Sequence, residues 1–132
     1  LALAAGLRGA QALGVEVDPL AIENAQKNTL LNPTAAGRVE FQQGFPRGRA
    51  FDVVVANILK PVLLEYAPQL VEGVKPGGLL ILSGLLREDA EAIYRGFGPL
   101  LGLAGEGGFR VRFCGDWMAL AVAKAHRPDS RR

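Results

Sequence analysis

Apolar and polar positions along the chain switch repeatedly between the period of a strand and that of a helix. Leu1, Ala2, Leu3, Ala4, Ala5 and Leu7 read as part of a helix, and residues 10–17 follow as a short buried strand. Asp18-Pro19 then supplies an N-cap with proline at the first helical position. The helix it opens is predicted to run to about Leu31 with Ala21, Ile22, Ala25 and Thr29 on one face. Asn32-Pro33 stops it, because the residue before a proline is pushed out of helical geometry. Residues 39–43 alternate weakly as a strand that ends at Gly44. Residues 51–56, with three consecutive valines, have the continuous apolar character of a parallel strand covered on both faces. Leu59, Val62, Leu63, Tyr66 and Leu70 recur at helical spacing, with Pro61 in the first turn and Pro68 expected to kink or interrupt the far end.

Lys75-Pro76-Gly77-Gly78 is a turn signal, and residues 79–82 follow as a second buried strand ending at Ser83-Gly84. Leu86, Ala90, Ile93 and Phe97 mark one more amphipathic helix, after which the glycines between Gly96 and Gly108 read as a loose connection. Phe109, Val111 and Phe113 then alternate with Arg110 and Arg112. Cys114-Gly115-Asp116 makes a turn and residues 117–124 return, which together predict a β-hairpin. Strand and helix alternating and then closing on an antiparallel hairpin predict an α/β chain with a doubly wound, mostly parallel sheet. It forms one domain over residues 1–124, with a disordered basic tail at 125–132. A barrel would need eight strand–helix units and ~250 residues.

Composition narrows the chemistry. The 132 residues are 49% hydrophobic and 21% charged, enough for a real core without staples. The net charge of +2 comes from the last seven residues, which hold three arginines against one aspartate, so the body balances and no basic nucleic-acid face is expected. A single cysteine, Cys114, excludes a disulfide within the chain and a metal site built on paired cysteines. No apolar run approaches the ~20 residues of a membrane span, and the start lacks the pattern of a signal peptide.

Ligands of doubly wound sheets bind beyond the carboxyl ends of the strands, so Glu16 to Asp18, Gly44-Phe45, Asn57-Ile58 and Ser83-Gly84 are the residues to weigh. A carboxylate at Glu16 can accept hydrogen bonds from both hydroxyls of a ribose; it can equally be a solvated strand end. Asp18 is explained by capping. Gly44 either lets backbone approach a flat ligand or simply turns the chain. Asn57 offers a carbonyl and an amide to a substrate nucleophile without adding charge, or caps the next helix. Ser83 has no partner histidine, since His126 lies in the tail, so no serine-hydrolase triad is expected. Cys114 and Trp117 read as packing residues, and no phosphate-binding glycine loop is present.

Three segments carry a family resemblance: Gly14-Val15-Glu16-Val17-Asp18-Pro19, Phe51-Asp52-Val53-Val54-Val55-Ala56-Asn57-Ile58-Leu59, and Pro76-Gly77-Gly78-Leu79-Leu80-Ile81-Leu82-Ser83-Gly84-Leu85-Leu86. With the closing Gly115-Asp116-Trp117, the chain resembles a class I S-adenosylmethionine-dependent methyltransferase. Within that superfamily it is similar to the ribosomal-protein methyltransferases of the PrmA kind, which modify large-subunit protein eleven. The resemblance implies S-adenosyl-L-methionine as cofactor and a ribosomal protein as substrate, methylated on amino groups of a lysine side chain or the N-terminus. It implies that Glu16, with Val17 and Asp18 beside it, holds the cofactor ribose, and that Gly44 and Phe45 lie near the adenine. Asn57 borders the methyl group and the incoming amine, as the catalytic residue and as part of the cofactor site. The superfamily often has aspartate where Glu16 and Phe45 stand; glutamate can do the same work on a longer arm, whereas Phe45 can only stack. No metal or covalent nucleophile is needed for direct transfer to nitrogen.

The resemblance also implies that a first strand and its glycine-rich loop lie immediately before Leu1. In the expected strand order, 3-2-1-4-5-7-6, the strands around Val15 and Val54 are then left with unpaired inner edges. A fragment so placed is expected to be inactive alone. The alternatives are a class I methyltransferase for another protein, RNA or a small molecule, or a non-catalytic nucleotide-binding module. Asn57-Ile58-Leu59-Lys60 does not match the Asn-Pro-Pro-Tyr usual for glutamine and adenine methylation. A cytoplasmic setting, or an organelle of bacterial descent, is expected, without nucleic-acid or membrane contact. The oligomeric state is open.

Overall fold

A computed structural model describes residues 1–126, and the chain divides into two compact units, Leu1–Arg47 and the stretch from Gly48 on. The first unit contains α1 (Ala2–Leu7), β1 (Ala12–Glu16), α2 (Pro19–Leu30), a 3-10 turn (Pro33–Ala35) and β2 (Val39–Gln43). β1 and β2 pair in parallel from Ala12 opposite Val39 to Glu16 opposite Gln43. Asp18 caps α2 as its position before Pro19 requires, its Oδ1 accepting the Leu20 N–H at 2.9 Å. The half-buried positions of α2 are Ala21, Ile22, Ala25 and Thr29, the face that the spacing predicts. Little of this unit is fully enclosed: Ala35 is its buried apolar side chain.

The second unit runs β3 (Phe51–Asn57), α3 (Lys60–Glu65), α4 (Ala67–Glu72), β4 (Val74–Leu86), a 3-10 turn (Arg87–Asp89), α5 (Ala90–Leu101), β5 (Arg110–Cys114) and β6 (Trp117–Ala123). Its sheet has the order β3-β4-β6-β5, with β3 parallel to β4 and the remaining pairs antiparallel. The pairs β2-β1 and β3-β4-β6-β5 are the two runs that remain when the first strand is taken out of the expected order. The core joins Leu80, Leu82 and Leu85 of β4, Met118, Leu120 and Val122 of β6, and Leu63, Leu70, Ile93 and Phe97 of the helices. The Lys124 Nζ donates to the carbonyl of Val71 at 2.7 Å, which the end of α4 leaves without a helical partner, and to that of Val74, the first residue of β4, at 2.8 Å.

Three expectations are corrected here. β3 is not covered on both faces: Val54 and Ala56 turn inward, whereas Val53 and Val55 are 51% and 44% exposed, because α3, α4 and α5 lie on one side of this unit's sheet only. Lys75-Pro76-Gly77-Gly78 is not a turn before a strand. It is a bulge within β4, where the register with β3 passes from Phe51–Val74 to Val53–Leu79, while Gly77 and Gly78 still exchange backbone hydrogen bonds with Lys124. The interruption expected at Pro68 is present: the chain breaks at Tyr66 and starts α4 with Pro68 in its first turn. The helix after β4 runs through the first glycines of the supposed connection to Leu101. Gly96 is there for close approach, since a Cβ would come within 2.6 Å of the Leu64 side chain of α3. Ala125 and His126 have no regular structure, and the rest of the expected disordered tail lies outside the described residues.

Candidate functional site

In the first unit the parallel pairing of β1 with β2 brings the expected cofactor residues to one strand end. The Gly44 N–H donates to the Glu16 carbonyl at 3.2 Å, and the Gln43 side-chain amide donates to the Val17 carbonyl at 3.0 Å. Glu16 is exposed, and its Oε1 accepts the N–H of Val17 at 2.8 Å and of Asp18 at 3.4 Å. Those bonds hold the carboxyl group against its own turn while leaving acceptor capacity on its other oxygen, since an ionised carboxylate offers roughly four lone-pair sites. Val17 is 65% exposed, an apolar surface beside that carboxylate. Gly44 has φ +76° and open space where a Cβ would stand. Phe45 follows it, half-buried.

Asn57 belongs to the second unit, as the last residue of β3, paired with Ser83 of β4. It does not cap α3: the cap position is Leu59, and no side chain there accepts a hydrogen bond. Its exposed side-chain amide makes no hydrogen bond among the described residues. What lies beside it is Gly84, whose φ of +74° and missing Cβ leave the room that the Asn57 Oδ1 occupies. β4 loses register with β6 between Leu82 and Leu85, so Ser83-Gly84 forms a second bulge at the strand end.

Just past that bulge lies Asp89, the buried charged residue of the described chain at 7% exposure. Its Oδ2 accepts the Leu86 N–H at 2.8 Å, and its Oδ1 meets the Lys60 Nζ at 2.6 Å. The Lys60 hydrogen bond, then that of Leu86, holds the Asp89 carboxyl below the usual carboxylate range against the opposing effect of burial. The same hydrogen bond, with Asp89 as the partner, raises Lys60. A lowered carboxyl contributes stability above its unfolded value, near ~3.9, and loses it as pH falls through the folded value. Acid unfolding of the wild type is therefore expected to steepen below about pH 4, and Asp89→Asn to flatten that limb, read by urea midpoints across the pH range.

Sequence reasoning did not single out Lys60 or Asp89; it weighed Ser83-Gly84 as a strand end, without the bulge that the pair forms. Cys114 and Trp117 are corrected: Cys114 is exposed, and Trp117 is 59% exposed rather than packed. Among the described residues no cluster of three His, Cys, Asp or Glu side chains could hold a metal. No helix there is long and apolar enough to cross a membrane.

The family described as ribosomal protein L11 methyltransferase (PrmA) matches residues 1–123. A ribosomal protein L11 methyltransferase of Pseudomonas paraeruginosa (strain DSM 24068 / PA7) is 47% identical over 96 residues, 70% of this chain and 32% of the relative. That of Wolinella succinogenes is 34% identical over 127 residues, 94% of this chain and 43% of the relative. The chain thus spans between 32% and 43% of the length of these two curated relatives. Among solved structures, the ribosomal protein L11 methylase of Lactobacillus delbrueckii subsp. bulgaricus aligns with a TM-score of 0.71 at 24% identity, over 86% of this chain and 57% of that one. Its likeness is one of fold. With the family matched from the first residue to the end of β6, the chain belongs to the ribosomal protein L11 methyltransferase (PrmA) family.

Proposed function

We propose that the protein carrying this chain transfers methyl groups from S-adenosyl-L-methionine to amino nitrogens of a ribosomal protein, on a lysine side chain or the N-terminus. Besides family membership, one observation carries this reading: Asn57 stands at a strand end with its amide free of any hydrogen bond among the described residues. A strand-end amide with nothing to bind inside the protein is suited to an external partner. Its carbonyl can accept an N–H of the incoming amine and aim the nitrogen lone pair, without a charge that would favour the unreactive ammonium form.

The cofactor supplies an activated methyl on a sulfonium. Glu16, flanked by Val17 and Asp18, would hold its ribose hydroxyls, Gly44 would admit the adenine with Phe45 stacking on it, and Asn57 would border the methyl. The residues fit these roles: an exposed carboxylate, an exposed apolar neighbour and an open glycine meet at one strand end. Direct transfer to nitrogen then asks the protein chiefly for alignment and for exclusion of water. In this reading the two units are parts of one catalytic domain, working in the cytoplasm or in an organelle of bacterial descent, without nucleic acid or membrane.

Calorimetric titration of S-adenosylhomocysteine tests the reading, using this chain and a version extended upstream over the length of the relatives. Binding by the extended form alone is expected. Within that form, Glu16→Ala is expected to weaken binding roughly 10- to 100-fold, the loss of hydrogen bonds to a charged group. Failure of the folded, extended protein to bind would overturn the cofactor assignment.

A further inference from the structure

We propose that Lys60 and Asp89 are a positioning pair: their ion pair ties the turn after Asn57 to the bulge after Ser83 and so fixes where the Asn57 amide presents itself to the methyl acceptor. The proposal rests on the reading of Asn57 given above and names residues that hold it rather than residues that touch substrate.

The contacts close a ring. From Asn57 the backbone passes through Ile58 and Leu59 to Lys60, whose Nζ meets Asp89 at 2.6 Å. Asp89 accepts the Leu86 N–H at 2.8 Å, and the backbone runs back through Leu85 to Gly84, whose Cα lies against the Asn57 side chain. Packing holds this turn only in part, since Leu59 is 76% exposed and Ile58 37%. The cross-link is thus a hold on this turn from outside the strand, and Gly84 is the seat inside it.

The placing of the charges argues in the same direction. Lys60 is the first residue of α3, the end of a helix that disfavours a cation. Asp89 is buried, where a carboxylate is costly unless paired. Asp89 caps its own 3-10 turn through one oxygen, which accepts the Leu86 N–H, and the lysine satisfies the other, so only Lys60 is poorly suited to its own element. The pairing makes sense as a link between two strand-end loops.

The test uses the protein extended over the relatives' full length, with S-adenosylmethionine and ribosomal protein L11 as the methyl acceptor. Lys60→Met keeps the aliphatic stem and removes the charge; Lys60→Arg retains it. Lys60→Met is expected to lower kcat about 10-fold with KM for S-adenosylmethionine within about 2-fold, a displacement effect on one side of the reaction. It should also shift the Asn57 side-chain amide pair in a nitrogen–proton correlation spectrum, and Lys60→Arg should restore both readouts. Wild-type kcat in Lys60→Met, in a protein that Asn57→Ala inactivates, would sink this inference and leave the reading of Asn57 standing. Full activity of Asn57→Ala would sink both. A fall of kcat and cofactor affinity together, with lowered thermal stability and an unmoved Asn57 amide, would make the pair structural only and overturn the proposal.

Discussion

Asn57→Ala is expected to lower methyl transfer by the extended protein about 100-fold while leaving S-adenosylhomocysteine affinity within a few-fold of wild type. The asymmetry follows from what the amide can do. Direct transfer requires the amine nitrogen close to the methyl carbon and in line with the bond that breaks, and misplacement by about 1 Å costs rate rather than binding. The side chain has no hydrogen-bonding duty within the described residues, so its removal leaves no orphaned partner and little stability is lost. Asn57→Asp is expected to restore little of the rate. A carboxylate beside the acceptor would hold the amine as an ammonium ion, which has no lone pair to give. Single-turnover methylation measured beside calorimetric binding separates the two effects. Equal losses in both would mean that Asn57 serves cofactor binding generally.

Phe97→Ala is expected to have the largest effect on folding, about 3–5 kcal/mol in the second unit. Phe97 is wholly buried on α5, in a core shared with Leu63 of α3, Leu80 and Leu82 of β4 and Leu120 of β6. Removing the ring takes away its transfer free energy and leaves a hole that the helix, already drawn close to α3 at Gly96, has little freedom to fill. Against a total stability of roughly 5–15 kcal/mol, that loss brings the unit near its unfolding midpoint. Leu100→Ala, at a position 44% exposed on the same helix, is expected to change stability by less than about 1 kcal/mol. Urea denaturation of both variants, followed by circular dichroism, makes the comparison. A midpoint for Phe97→Ala as high as that for Leu100→Ala would mean that the core tolerates the hole.

The parts of the fold set by local rules were legible. The cap at Asp18, the half-buried face of α2 and the limits of β2 follow from one turn of chain or one period, and the structure has them where expected. The misses occur where distant contact overrides a local signal. Gly96, Gly98 and Pro99 discourage a helix, yet burial of Phe97 and Leu101 carries α5 past them. The bulge at Gly77 uses turn chemistry without ending the strand, because Lys124, far along the chain, continues the pairing. Three valines in succession reveal a strand but not that Val53 and Val55 lie on an open face.

The candidate site divides in the same way. Glu16, Gly44 and Asn57 could be picked out because strand ends in such sheets face ligands. The choice between a capping and a free Asn57 needed coordinates, since both fit the same position. Lys60 and Asp89 were invisible because their partnership crosses a strand and two helices.

The position of β6 has a consequence for synthesis. This strand is the last of the described elements but the third across its sheet, between β4 and β5, and Met118, Leu120 and Val122 complete the apolar interior. As the chain leaves the ribosome from its N-terminal end, β3, β4 and three helices emerge before the strand that covers their interior edge. Until the residues of β6 are free, β4 carries an open backbone edge and the leucines beside it meet water. Nascent chains halted before Trp117 are thus the ones a chaperone would engage, and release past Ala123 is the event that lets this unit fold as a whole.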